Sequence, residues 1–172
     1  MPKVGIVMGS DSDLACMSEA AEILKNLGIE HEITVASAHR SPGLLAEYVS
    51  GAEPRGVAVF IAGAGGAAHL PGVIAALTPL PVIGVPMLNK ALAGADSLYS
   101  IAQMPSGIPV ATMAIGGAKN AGIFAATILG VGDKEVRERV REYKRGLERG
   151  VREKSEKLAN IGYKAYLDRG KT

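Results

Sequence analysis

Two of the three histidines in this chain fall in short loops of small residues, each placed directly after an apolar run. Ser37-Ala-His-Arg40 follows Ile33-Thr-Val-Ala36, and Gly63-Ala-Gly-Gly-Ala-Ala-His69 follows Val57–Ala62. A third such loop, Gly9-Ser-Asp-Ser-Asp13, follows Val4–Met8. Each loop suits a different chemistry. The His39 imidazole can give or take a proton, while Arg40 beside it offers a planar fork for bidentate phosphate capture. In the first loop, backbone N–H groups ahead of a helix suit an anion. Asp11 and Asp13 would repel a phosphate held between them, so the division of labour that makes sense is serines (Ser10, Ser12) for phosphate and an aspartate for sugar hydroxyls. Taken alone, capping of the following helix is the simpler reading of that loop. In the third loop nearly every side chain is absent or a methyl, which lets a small or flat ligand approach the backbone closely. A tight strand-to-helix turn, with His69 near the start of a helix, is the plainer alternative there.

The elements that carry these loops alternate. Leu14, Met17, Ala21 and Leu24 recur at helical spacing, and Gly28 closes that helix. A second strand covers about 31–36, and Pro42 opens a second helix in its first turn. The third strand, about 57–62, leads through a short helix at roughly 70–77 to a fourth strand, Pro81–Val85. Residues Gly94–Gln103 read as helix, Pro105-Ser-Gly107 as a turn, Pro109–Ala114 as a fifth strand, and about 118–130 as a very apolar helix. Strands alternating with helices demand right-handed crossovers and a parallel sheet covered on both faces. The expected fold is therefore α/β, a three-layer doubly wound parallel sheet followed by a long C-terminal helix. In such a sheet all three loops emerge at the carboxyl edge, where ligands bind.

The domain division expected is 1–132 for the α/β body and 133–172 for a helical extension. From Asp133 to Leu158 the chain is highly charged, with a narrow stripe at Val136, Val140, Tyr143, Leu147 and Val151. A stripe this thin either packs on a neighbouring subunit or folds back on its own body. Gly146 and Gly150, each costing about 1 kcal/mol against Ala, either allow close helix contact or mark a break.

Composition excludes several function classes. The 172 residues are 48% hydrophobic but only 4% aromatic, with no Trp, so the core must be aliphatic and Ala-rich. Residues 1–132 carry 6 Lys/Arg against 9 Asp/Glu, and the basic surplus is confined to the tail, where both signs interleave. That is not the one-signed patch that nucleic-acid binding uses. The uncharged run from Gly56 to Asn89 is punctuated by four prolines and several glycines, so it reads as buried strands and not as a membrane span. With one cysteine, Cys16, no internal disulfide forms, and a reducing, cytoplasmic compartment is expected. Cys16 lies near a helix start that could lower a thiol pKa, but without an adjacent base it reads as a buried thiol. Three histidines and one cysteine offer no metal-ligand spacing. A receiver-like module would need a phosphorylatable Asp ending the third strand, where this chain has Ile61-Ala-Gly-Ala-Gly65.

Four segments together carry a family resemblance: Gly9–Asp13, Ser37–Arg40, Ala62–Gly72 and Asp96-Ser-Leu-Tyr-Ser-Ile-Ala-Gln-Met-Pro-Ser-Gly107. In order and spacing, over about residues 3–130, they resemble the N5-carboxyaminoimidazole ribonucleotide mutase family of de novo purine synthesis. The resemblance implies a flavodoxin-like fold and a homo-octamer held together in part by the C-terminal helix. It also implies a cofactor-free rearrangement of a ribonucleotide, needing neither biotin, ATP nor metal. By position, His39 is the implied acid/base and Arg40 a phosphate ligand. Ser10, Ser12 and Ser37 are the implied substrate and phosphate contacts, and Asp13 the ribose contact. Ala64, Gly65, Gly66, Ala67, His69 and Leu70 fall in the segment that encloses the reacting carboxylate, His69 as a secondary polar contact. Ser41 departs from the Thr of many members, and Met87-Leu-Asn-Lys90 is a variable stretch near the site, with the contacts of Lys90 left open. The Gly-Gly-Ala-Ala-His-Leu-Pro-Gly form of the third loop resembles the mutase branch; the alternative is a carboxylase that takes free CO₂.

Overall fold

The computed structural model describes residues 2–168. Five parallel strands form one sheet: β1 (Lys3–Met8), β2 (His31–Val35), β3 (Val57–Ala64), β4 (Val82–Pro86) and β5 (Ala111–Thr112), in the order β2-β1-β3-β4-β5. This is the flavodoxin-like order, and the chain reverses its winding between β1 and β3. The central strands have no polar face because helices cover both sides. Ile6, Ile61 and Ile83 are wholly buried on one face, with α1 (Leu14–Asn26) and α5 (Ala118–Gly132) over them. Val7, Phe60 and Ala62 face α2 (Pro42–Ser50) and α3 (Leu70–Leu77) on the other, where Ile101 of α4 (Ala95–Ala102) also packs. Each such buried aliphatic side chain contributes about 2 kcal/mol.

Helix boundaries follow local chemistry. Gly28, at φ +64°, ends α1 by donating to the Lys25 carbonyl, while Ile29 N–H reaches back to Leu24 O. These are the two bonds of a Schellman stop, which needs a left-handed residue at that point. Helix α3 spans the expected residues. Strand β5 is much shorter than Pro109–Ala114. It is an edge strand paired on one side only, Pro109 has no N–H, and after Met113 the chain turns at Gly116 to bond Pro86 O.

The C-terminal helix α6 (Lys134–Asp168) runs past Leu158, the expected end, and is interrupted at Gly162 (φ 75°, ψ 157°) and not at Gly146 or Gly150. Neither of those two glycines makes room for a neighbour: a Cβ at Gly146 would meet only Arg149 of the same helix, and one at Gly150 nothing within 4 Å. Exposed Arg145–Glu142 and Arg152–Glu148 ion pairs flank them. The apolar stripe divides in two. Val136 and Val140 are buried against the α1–α5 layer with Tyr143 partly so, whereas Leu147 and Val151 are 57% and 66% exposed. Arg139 ties the buried half down by donating from Nε to the Leu27 carbonyl at 2.6 Å.

Candidate active site

Parallel strands all point their carboxyl ends the same way, so the loops after β1, β2, β3 and β4 meet over one edge of the sheet. They enclose a cleft of about 480 Å³. The loop after β1 contributes Gly9, Ser10, Ser12 and Asp13; the loop after β2 contributes Ser37, Ala38, His39 and Arg40. Ala64, Gly65, Ala67, His69 and Leu70 come from the end of β3 and beyond it. Of the residues given catalytic or substrate-binding roles from sequence, only Gly66 is absent from the wall. Its N–H donates away from the cleft to Ser97 Oγ at 2.9 Å.

The two histidines meet. His39 Nε2 lies 2.8 Å from His69 Nδ1, with the rings edge-to-face at a 4.9 Å centroid separation. One of the two nitrogens must donate and the other accept, so His69 fixes the orientation of the His39 ring. His69 is free for this because, although it stands at the N-cap of α3, it makes no capping bond there.

The loop after β2 is held by its own serines. Ser37 N–H donates to Ser41 Oγ (2.9 Å), and Arg40 N–H donates to Ser37 Oγ (3.1 Å). The Arg40 guanidinium then bridges to the first loop, Nη2 donating to Gly9 O at 2.8 Å. In that first loop the two readings separate by residue. Ser10 does cap, accepting from Ser12 N–H at the short 3-10 turn Asp11–Asp13. Asp13 precedes α1 but makes no side-chain capping bond, and it lines the cleft. Burial pushes its carboxyl above the ordinary aspartate range, partly offset by a hydrogen bond from Ser12. Asp11 is exposed and outside the wall.

The sequence placed Met87-Leu-Asn-Lys90 near the site without giving it a duty; Met87, Leu88 and Asn89 form the fourth wall. The signal was available: these residues follow β4 at the same carboxyl edge as the other three loops. Lys90, next to them, is exposed and does not line the cleft. Cys16 also lies outside it; its thiol is pushed up by burial and sits 3.6 Å from Gly116 O. Among the described residues no three of His, Cys, Asp and Glu group closely enough to hold a metal ion.

Comparison with known proteins places this chain among relatives. A family profile described as AIR carboxylase matches residues 3–149. The chain is 60% identical over 168 residues to an N5-carboxyaminoimidazole ribonucleotide mutase of Thermotoga maritima, covering 98% of each protein. It is 50% identical over 167 residues to a phosphoribosylaminoimidazole carboxylase of Saccharomyces cerevisiae, covering 97% of this chain but 29% of that one. The crystal structure of a Treponema denticola PurE, 31% identical, superposes with a TM-score of 0.80 over 95% of this chain and 100% of that one.

Proposed function

The chain belongs to the AIR carboxylase family, and on that premise we propose that it is an N5-carboxyaminoimidazole ribonucleotide mutase of purine biosynthesis. It moves a carboxylate from the exocyclic nitrogen of the substrate to ring carbon C4, giving 4-carboxy-5-aminoimidazole ribonucleotide. The observation that carries the reading is the His39–His69 pair, set across a loop almost without side chains.

The chemistry follows from what each group can do. A carbamate loses CO₂ readily once its nitrogen is protonated, so a general acid must stand within hydrogen-bond reach. His39 gives that proton; the C–N bond breaks and its electrons stay on nitrogen. The CO₂ released is small and uncharged, and the Ala64–Ala67 backbone holds it beside C4. Carbon C4 attacks it, forming the new C–C bond, and His39 takes back the proton that C4 then loses. His39 ends with a proton again and CO₂ returns to the substrate at C4, so the reaction is an isomerisation. Proton transfer of this kind contributes about 10²–10⁴-fold, and holding both fragments in place contributes further. Arg40, Ser10, Ser12 and Ser37 take the phosphate and Asp13 the ribose. His69 and Leu70 close the wall around the carboxylate.

The carboxylase alternative gains nothing from the yeast relative's name, which belongs to a much longer protein of which this chain matches less than a third. We further propose a homo-octamer in the cytoplasm. Support for assembly comes from apolar surface that the single chain leaves open: Leu147 and Val151 on α6, and Ile33 and Val35 (42% and 48% exposed) at the sheet edge. Among the described residues no helix is long and apolar enough to cross a membrane.

The deciding experiment follows conversion of the carbamate substrate with metal chelated and no nucleotide added. Wild-type protein turns it over, and His39→Asn, which keeps the ring's approximate volume but not its proton, falls at least ~10²-fold in kcat. Retention of more than about a tenth of the wild-type kcat removes His39 from the proton-transfer role.

A further inference from the structure

The residue that fails to line the cleft is the informative one. Gly66 sits at the back of the loop after β3, in a left-handed conformation (φ +66°), while its neighbours Gly65 and Ala67 face the cavity. Its N–H is taken by Ser97 Oγ, and Ser97 is the one polar residue wholly buried among those described. From Gly66 the chain reaches His69 through two very tight turns, Ala68 N–H to Gly66 O and His69 N–H to Ala67 O, both 2.8 Å. With so few atoms between them, the position of Gly66 sets that of His69 and, through it, the His39 ring.

The same turn of α4 holds the opposite wall. Asn89 Nδ2 donates to both carboxylate oxygens of Asp96, at 2.7 and 2.9 Å, and lies 3.4 Å from Ser97 Oγ. Asn89 Oδ1 in turn accepts from Ala91 and Leu92 N–H. This pins a turn in which Ala93 takes a positive φ of 50°, followed by Gly94 at 85°. A non-glycine residue in that region costs about 1–3 kcal/mol and persists only where its surroundings over-determine it.

We propose that Ser97, together with Asp96, is a positioning residue of the reaction: the first turn of α4 clamps the loops after β3 and β4 from behind and so keeps the cleft closed around the released CO₂. Neither residue lines the cleft. The inference rests on the mutase reading, because only a captive intermediate makes wall stiffness matter. Ser97→Ala leaves Gly66 N–H without its acceptor, and Asp96→Ala releases the Asn89 amide.

Both variants are assayed on the carbamate substrate in buffer containing isotopically labelled bicarbonate, with circular dichroism melts alongside. The expected result is a product carrying at least about fivefold more label per turnover than the wild-type product, with KM changed less than about twofold. CO₂ escapes from the loosened site and is replaced from the buffer, while phosphate and ribose binding are untouched. A merely structural role would lower the melting temperature without raising the label. Folded Ser97→Ala with label equal to wild type overturns the proposal, whatever its kcat; if that variant does not fold, Asp96→Ala decides the question by the same criterion. Wild-type protein that fails to convert the carbamate at all defeats the mutase reading instead, a separate and recognisable outcome.

Discussion

The carboxylate of Asp13 precedes α1 yet makes no bond to it, and that release lets it serve the cleft. Its cost can be measured. Burial raises the Asp13 carboxyl above its ordinary value, so the folded protein binds that proton more tightly than the unfolded chain does. Stability therefore falls as pH rises through the window that starts at the ordinary aspartate value and extends upward. Asp13→Asn removes the titration. Its melting temperature should match wild type near pH 3, below both values, and exceed it at pH 7, while KM for the ribonucleotide rises. Thermal melts across that range check the sign, and a variant less stable than wild type at pH 7 would show that the charged form is favoured. At this scale the sequence divided serine from aspartate by ligand but left open which residues cap the helix: Ser10 caps and Asp13 does not.

Among the elements, α2 lies over β1 and β3 and places Tyr48 edge-to-face on Phe60, with ring centroids 6.3 Å apart. The Tyr48 hydroxyl is buried with no partner in hydrogen-bond geometry, and burial next to the Glu32 carboxylate pushes its ionisation upward. Arg55 sits over the same ring, 4.9 Å from its centroid, and pairs with Glu32 at 2.9 Å. An unpaired buried hydroxyl costs about 1–3 kcal/mol. Tyr48→Phe should therefore stabilise the protein by about 1 kcal/mol, visible as a melting temperature higher by about 2–4 °C. A loss of similar size would mean that the hydroxyl is satisfied in solution. The helix and strand pattern was legible because each element carries its own period and stop signal, as at Gly28. Strand β5 was overestimated because the chain leaves β4 before that partner ends, turning at Gly116 to bond Pro86 O, and where an edge strand leaves its neighbour is not encoded in its own residues.

For the whole molecule, α6 is the element that a single chain leaves half finished. Its first turns complete the α1–α5 layer, and its later apolar residues face outward. Replacing both Leu147 and Val151 by Glu should leave helix content intact, since Val136 and Val140 still anchor the helix. The proposed octamer should then give way to smaller species in sedimentation velocity. An unchanged sedimentation coefficient would remove this face from the subunit contacts. Of the two readings that the stripe allowed, fold-back holds for the first half of the helix, while the apolar residues of the second half are exposed, where the proposed assembly would use them.

By itself the amino-acid sequence determined the order of strands and helices, the aliphatic core and the three loops at one sheet edge. Those depend on local periodicity, on caps and on the fixed handedness of crossovers. It also contained the family resemblance, because a family's residues are matched in order along the chain. Tertiary structure alone decided which side chains touch. His39 and His69 stand 30 residues apart, and Ser97 reaches Gly66 across 31. Whether such pairs come within bonding distance is set by how the crossovers stack β2, β1, β3 and β4 side by side, and no local pattern records that distance.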